Sequence, residues 1–465
     1  MSERAFDVVV IGAGPAGEVC AGILGEAGLR VAIVESHLIG GECSYYACMP
    51  SKALLRPQEA LAEARRVPGA AEAVTGYLDA GAVLRRRDEV VHDLDDAAQL
   101  PWLEERAVTV VRGHGRLAGE RRVRVGDEVL MAERAVVVAV GSGPAIPPIP
   151  GLREAAAWSN REATTATRVP ERLLVLGGGV VGVELAQAWA SLGSQVTVVE
   201  RAARVLAREE PFASEAVAAA LAADGVDLRT GADVVGVERD GGGVALALSE
   251  GERLEGDELL VGIGRRPLTA ELGVDSVGLE AGAPIAVDDS LRVPGHDWLY
   301  AIGDVNGRSL LTHMGKYHAR LAARNILGDE ERAGGAADGT LAPRVVFTSP
   351  QVAAVGHTAE TARAAVGSCV VVDHPTDGVA GGSFYGRGTG GTTRFVFDGD
   401  RDVLVGATFV GHEVAELLHA ATLAISAAIP LAELERAVPA FPTRSELWLR
   451  LLEKYAARAT APAAA

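Results

Sequence analysis

Residues 6–35 read FDVVVIGAGPAGEVCAGILGEAGLRVAIVE. An apolar strand, Val8 to Ile11, runs into Gly12-Ala13-Gly14-Pro15-Ala16-Gly17. A helix-like segment follows, and a second apolar strand, Val31 to Val34, ends at Glu35. Strand, glycines, helix, strand and terminal acid in this order make a βαβ unit built to hold a dinucleotide. Gly12 permits the tight turn, Gly14 lets the backbone approach a pyrophosphate, and Gly17 allows close helix–strand packing. The helix N-terminus then faces the phosphates, and Glu35 can accept hydrogen bonds from a ribose.

Residues 172–200, RLLVLGGGVVGVELAQAWASLGSQVTVVE, repeat the unit. Gly177, Gly179 and Gly182 stand where Gly12, Gly14 and Gly17 stood, and Glu200 closes the second strand. First glycine and terminal acid are 23 residues apart in both copies. Two such folds imply two dinucleotides, or one plus a degenerate copy. Glu184, just after the third glycine of the repeat, places an ionisable group where apolar packing is expected. It is a candidate functional residue, and the alternative is a solvated first-turn acid favoured by the helix dipole.

Between the two units lies GGECSYYACMPSK, Gly40 to Lys52, with two of the chain's four cysteines, Cys43 and Cys48. Pro50, Ser51 and Lys52 lead into a helix-like run, ALLRPQEALAEARR. Cysteines near a helix start lie at the positive end of the peptide dipole, which favours the reactive thiolate. By spacing alone, two buried thiols or a structural disulfide is the favoured reading, and the sequence on either side tips the balance to a reactive pair.

A chain of 465 residues suggests roughly three domains. Hydrophobic residues make up 48%, enough to bury substantial cores. The net charge of −18 argues against nucleic acid or an anionic membrane as partner. MSERAFD enters a strand directly, without a leader-like pattern, and no apolar run approaches the ~20 residues of a membrane-spanning helix. Four cysteines in so long a chain do not make a secreted disulfide scaffold, so a cytoplasmic protein is expected. Cys20 and Cys369 sit in apolar runs and read as small core hydrophobes. No metal site is indicated.

The rest alternates strand-like and helix-like segments. Residues 53–66 and 82–106 read as helices, with Arg85-Arg86-Arg87 and Asp93 to Asp96 as solvated faces. Strands follow at 107–113 and 121–127, then an apolar run ending in Gly141-Ser142-Gly143 and the proline-dense PAIPPIPG. Further strands include DELLVGIG, ending at Gly264, and WLYAIGDV, Trp298 to Val305. Asp304, at a strand's carboxyl end before a turn and a helix, is placed to bind a sugar or polyol hydroxyl. The link 328–340 looks disordered, and residues 343–465 read as a separate α+β domain with a frayed tail. His313, His318 and His412 read as ordinary polar residues, with His313 a candidate for the surroundings of a bound ring.

Together, GAGPAG with Glu35, the CxxxxC-xPSK stretch, AVGSGPAIPPIPG, GGGVVGVE, YAIGD and the final PTRSE resemble one family over nearly the whole chain. That family is the class I pyridine nucleotide-disulfide oxidoreductases, which includes dihydrolipoamide dehydrogenase, glutathione reductase and mercuric reductase. The resemblance implies an α/β fold with two Rossmann-like domains, for FAD and NAD(P), plus a C-terminal α+β domain that makes a homodimer with a shared active site. The implied boundaries are 1–150 and 269–335 for the FAD-binding and central parts, 151–268 for NAD(P) and 343–465 for dimerisation. Residue by residue, Gly12, Gly14, Gly17, Glu35 and Gly115 would hold the adenosine end of FAD. Gly141 and Gly264 are carried over as further cofactor-contacting glycines. Asp304 would bind the ribityl chain and Thr312 would lie near the isoalloxazine. Cys48 would be the thiolate against the flavin, Cys43 the exchanging thiol, and Lys52 with Glu184 the ion pair beside the flavin's reactive nitrogen. Gly177, Gly179 and Gly182 would take the nicotinamide dinucleotide. Glu200 favours NADH over NADPH because a carboxylate repels a 2′-phosphate, although Arg201 and Arg204 are what a phosphate would want.

The chain departs from the family's pattern at its end. Where HAHPTLSE-like sequence is usual, this chain reads Pro439-Ala440-Phe441-Pro442-Thr443-Arg444-Ser445-Glu446. Glu446, which would orient the acid/base histidine, is present, but Phe441 stands in the histidine's place and cannot move a proton. Such proton transfer is typically worth 10²–10⁴-fold, so disulfide exchange should be slow. The leading expectation is therefore an FAD enzyme passing electrons from NAD(P)H through Cys43–Cys48 to a quinone-like, metal or small-disulfide acceptor. The alternatives are lipoamide dehydrogenase-like chemistry with Tyr45, Tyr46 or water as substitute, and a redox-sensing flavoprotein without turnover.

Overall fold

The computed structural model describes residues 2–333 and 339–459. Residues 334–338 of the expected link and the expected frayed tail from 460 lie outside the described residues. The chain packs as two compact units, each assembled from three segments. The first comprises Met1–Pro50, Arg85–Ala145 and Gly264–Thr340, the second Ser51–Leu84, Ile146–Ile263 and Leu341–Ala465.

In the first unit the strand Ser2–Ile11 lies parallel to Val31–Glu35 on one side and to Glu128–Val138 on the other. Val108–Arg112 extends the sheet beyond Val31–Glu35, and Leu299–Ala301 pairs parallel with Val136 to Val138. These strands are near-continuous apolar runs because both faces of a parallel sheet are covered. Val8, Val9 and Val10 have no exposed surface. One face packs against helices Pro15–Glu26 and Thr312–Leu327 through Cys20, Leu24 and Ala319. Arg122–Val125 and Gly115–Leu117 continue the sheet antiparallel from the first residues of Glu128–Val138, and their Leu117, Val123 and Val125 pack against Val9, Ile11 and Val34 on the other face.

The second unit has its own parallel sheet, in the order Asp227–Thr230, Gln195–Glu200, Arg172–Leu176 and Glu258–Val261. Its helix Val180–Ser191 is buried from Gly182 through Trp189, with Trp189 fully enclosed. A three-stranded antiparallel layer (Val234–Asp240, Gly243–Leu248, Arg253–Gly256) covers one side. Residues beyond 341 form a five-stranded antiparallel sheet that includes Gln351–Gly356, Thr392–Asp398 and Val403–Gly411. Its aromatic centre is Phe395, against Phe397, Phe409 and Trp448.

Three expectations need correction. The run 82–106 is not one helix: Ala80–Val90 stops, and a short helix resumes at Leu100–Glu104. His92, Asp93 and Leu94 take left-handed φ values of 51°, 50° and 61°, which a right-handed helix cannot absorb. The charged clusters are not simply solvated either. Arg87 is buried and its Nε donates to Asp88 at 2.7 Å, and Asp96 accepts from the Ile39 amide at 2.7 Å while pairing with Arg112. Of WLYAIGDV, only Leu299–Ala301 is strand. Gly303, at φ +73°, turns the chain into the 3-10 turn Gly303–Asn306.

Candidate active site

The two glycine loops are built alike. In the first, Gly12 has φ +101°, and a Cβ on Gly17 would fall 1.9 Å from the Gly12 carbonyl oxygen. In the second, Gly177 has φ +111°, and a Cβ on Gly182 would fall 1.8 Å from the Gly177 carbonyl oxygen. Helix and strand thus meet at a distance only glycine allows. A Cβ on Gly14 would point into open space at the start of helix Pro15–Glu26, where amides and dipole favour a pyrophosphate. This cradle fits the dinucleotide expected of it. Gly115 packs tightly, since a Cβ there would meet Ile11 at 2.8 Å. Gly141 and Gly264 occupy left-handed turns at φ +72° and +137° with open space beside them.

Both terminal acids brace their own loops. Glu35 accepts from the amides of Ala13 and His37 at 2.8 and 2.7 Å. Glu200 accepts from those of Gly178 and Ala202, each at 2.6 Å. A carboxylate has about four acceptor positions, so lone pairs remain for ribose hydroxyls.

Gly40 and Gly41, at φ +107° and +58°, open the cysteine turn, and Cys43 lies in the short helix Gly41–Tyr45. Cys48 begins the helix Cys48–Arg66, five residues before the run 53–66 expected from sequence, and so sits at its positive end. The Cys48 Sγ lies 3.4 Å from the Thr312 Oγ1, at the first turn of helix Thr312–Leu327. The Cys43 thiol is held protonated chiefly by its hydrogen bond with Cys48, and further by burial and the charge of Cys48, while Thr312 and Lys316 pull the other way. Both sulfurs are free thiols in this structure. Cys20 is wholly buried, its thiol pushed up to about 12 by desolvation, and Cys369 is half-buried.

Asp304 is part of a polar chain that motif spacing did not reveal. Its Oδ2 accepts from the Ser142 hydroxyl at 2.5 Å, and Arg265 Nε donates to Ser142 Oγ at 2.7 Å. Arg265 also lies 3.5 Å from Glu42, next to Cys43. Burial holds the Asp304 carboxyl above its ordinary range, opposed by Ser142 and Arg265. Sheet pairing of Arg265–Pro267 with Ser142–Pro144 creates this chain from segments over a hundred residues apart, which explains why local pattern missed it.

In the second unit, Lys52 Nζ and Glu184 Oε2 are 2.7 Å apart, and the other Glu184 oxygen accepts from the Phe347 amide at 2.9 Å. The Lys52 ammonium also lies 4.8 Å from the Phe347 ring centre. Glu184 is buried and paired, not a solvated first-turn acid.

Glu446 starts the helix Glu446–Ala459 and is 8% exposed. Among the described residues its buried Oε2 has no hydrogen-bond partner. Phe441 is 76% exposed. Arg444 is buried, donates to the His412 carbonyl and lies 3.5 Å from Asp377. His318 and His412 are buried rather than ordinary surface polar residues, and His313 is exposed. Glu63, His412 and Glu413 bring ligand atoms within 4.8 Å of one another. Arg66 Nη2, 2.8 Å from His412 Nε2, puts a positive charge where an ion would sit. No helix among the described residues is long and apolar enough to cross a membrane.

Two dinucleotide loops, a thiol pair at a helix start and a lysine–glutamate pair define a flavin-type, thiol-dependent oxidoreductase. Comparison with known proteins agrees. Residues 6–322 match the pyridine nucleotide-disulphide oxidoreductase family, and 342–451 match that family's dimerisation domain. The chain belongs to this family of FAD enzymes. It is 32% identical over 455 residues to dihydrolipoyl dehydrogenase of Chlamydia muridarum, covering 96% of each chain. It is 34% identical over 441 residues to mercuric reductase of Acidithiobacillus ferrooxidans, covering 92% of this chain and 78% of that one. The Cu(II) complex of the HOCl-induced flavoprotein disulfide reductase RclA from Escherichia coli superposes with a TM-score of 0.85 at 26% identity, covering 97% and 99%.

Proposed function

We propose that this enzyme oxidises NAD(P)H and passes the electrons through Cys43 and Cys48 to an acceptor that does not need the missing histidine, any protons it takes up coming from solvent. Such acceptors are a quinone, a metal ion, or a small disulfide with a good leaving thiol. FAD, when bound, accepts hydride from the nicotinamide and hands electrons to the thiol pair. The observation that carries the reading is at the chain's end. Among the described residues the buried Glu446 Oε2 has no partner, and Phe441, which stands in the sequence where the histidine would be, is exposed and has no proton to give. The thiols and the Lys52–Glu184 pair are kept, which a sensor without turnover would not need.

In this reading the first glycine loop, Glu35, Asp304 and Thr312 hold FAD, and the second loop with Glu200 holds the nicotinamide dinucleotide. Lys52 stabilises negative charge developing beside it. Arg204 is committed to the carbonyls of Leu206 and Ala207, which leaves it less available to a 2′-phosphate and favours NADH. Homodimerisation through residues 343–465, an active site shared between subunits, the domain boundaries inferred from sequence and a cytoplasmic location belong to the same proposal.

The tyrosines are poor substitutes for the missing histidine. The Tyr45 hydroxyl faces the Asp95 carbonyl at 3.5 Å, and burial pushes its pKa up to about 12. The Tyr46 hydroxyl is bound to His37 at 2.8 Å. This weakens the lipoamide dehydrogenase-like alternative. Steady-state NADH oxidation with a quinone and with lipoamide tests the choice. Faster turnover with quinone is expected, and a strong preference for lipoamide would reverse the ranking.

A further inference from the structure

Cys43 presents a problem that the rest of the site leaves open. Its thiol is held protonated by Cys48 and by burial, yet exchange with any acceptor requires the thiolate. With phenylalanine at 441, another group has to favour ionisation. The geometry of the first unit offers one.

Helix Thr312–Leu327 begins with Thr312 beside Cys48, and Lys316 follows one turn later on the same face. This helix meets helix Pro15–Glu26 at a contact of small residues: Cβ atoms built on Gly303 and Gly315 would lie 3.3 and 3.4 Å from the Ala16 Cβ. The cysteine turn closes on the same place, since a Cβ on Gly41 would lie 2.8 Å from the Gly14 Cα. Glu18 is one turn beyond Gly14, donating its amide to the Gly14 carbonyl at 3.0 Å. Three backbones in close contact therefore bring together the segments that carry Cys43, Lys316 and Glu18. The Lys316 charge acts on both of the others, drawing Cys43 towards thiolate and Glu18 towards carboxylate.

We propose that Lys316, one helical turn beyond Thr312, supplies the positive charge that stabilises the Cys43 thiolate in place of the absent histidine, with Glu18 opposing it. Neither residue belongs to a motif that defined the site. The charged and titrating groups acting on Cys43 are Cys48 from the thiol helix and Lys316 from helix Thr312–Leu327. Glu42, the residue before it, is turned to Arg265. Glu18 is in turn influenced by Glu35 and Asp96. Ionisation releases the Cys43 proton to solvent, and the sulfur's electron pair becomes free to attack.

The inference rests on the thiol pair being the redox centre, and the experiment separates the two. Holoenzyme is treated with iodoacetamide before and after reduction by dithiothreitol, across a range of pH, and Cys43 alkylation is followed by peptide mass spectrometry. Sulfur displaces iodide to form a thioether, so the rate reports the thiolate fraction. Cys43 that reacts only after reduction supports the redox-centre reading, and equal reaction before reduction rejects it. In Lys316→Met and Lys316→Gln the midpoint of Cys43 alkylation should rise by about one pH unit. Below both midpoints that is ~10-fold slower labelling. Lys316→Arg should retain the wild-type profile, and Glu18→Gln should lower the midpoint by removing the opposing charge. Because Lys316 is exposed, these variants should fold, and retained flavin absorbance checks that they do. Superimposable profiles for wild type, Lys316→Met and Lys316→Gln would overturn the proposal.

Discussion

Glu184 shows what one side chain can do with two oxygens in a closed space. One oxygen pairs with Lys52 and the other accepts the Phe347 amide. Glu184→Gln retains an acceptor for that amide but leaves Lys52 without its counter-charge. A loss of about 1–3 kcal/mol is expected, read as a lower urea midpoint. Lys52→Met keeps the volume and removes the charge, and should slow flavin reduction by NADH on the order of 10²-fold, read by stopped-flow absorbance. Glu18 makes a different prediction. Burial pushes its carboxyl from 4.5 to about 7, against Lys316. The folded chain then binds this proton more tightly than the unfolded chain. Its stabilising contribution is complete below pH 4.5 and is lost as pH rises through about 7. Relative to Glu18→Gln, wild type should lose about 1–3 kcal/mol across that window, and parallel urea midpoints for the two proteins would contradict this. At this scale the sequence yielded the residues that sit in motifs. It did not yield the partners, Phe347, Ser142, Arg265 and Lys316, because partners are chosen by tertiary contact.

Elements were most legible where local rules and global packing agree. Each βαβ unit announced itself through apolar strands and glycines at fixed spacing, and the close contacts at Gly17 and Gly182 give those glycines their physical reason. Alanine at either position puts a methyl group inside van der Waals range of a backbone carbonyl, but the consequences should differ. Gly17→Ala should yield protein lacking tightly bound flavin. Gly182→Ala should keep its flavin absorbance while the KM for NADH rises by ~10-fold or more, since misplaced binding surfaces cost about a kcal/mol or more. Flavin content and steady-state kinetics distinguish them, and flavin loss from Gly182→Ala alone would show the two loops to be assigned in reverse. Legibility failed in 82–106, where helical composition continues through residues that adopt left-handed backbone. No single residue type there signals the break.

The whole molecule was least legible, because each compact unit draws on three separated segments. Residues 51–84 follow the cysteine turn directly yet pack with the second unit, a choice made by where Leu54, Leu55, Val83 and Leu84 find apolar partners such as Leu185 and Val352. The end of the chain carries the largest functional consequence at this scale. Phe441→His restores a proton-carrying ring at the position where the family resemblance expects one, and the buried Glu446 oxygen has no donor among the described residues. It should raise lipoamide turnover by at least ~10-fold, the lower end of general acid–base help, with little change in quinone turnover. Equal effects on both acceptors would mean that position 441 does not face the acceptor of disulfide electrons.

The central claim is that Cys43 and Cys48 carry electrons between flavin and acceptor. An anaerobic NADH titration of wild type and Cys48→Ala, followed by visible spectroscopy, tests it most directly. Wild type should take up electrons beyond the flavin's own pair and develop a long-wavelength thiolate-to-flavin band that the variant lacks. If both proteins bleach alike, the cysteines are bystanders and the account is wrong.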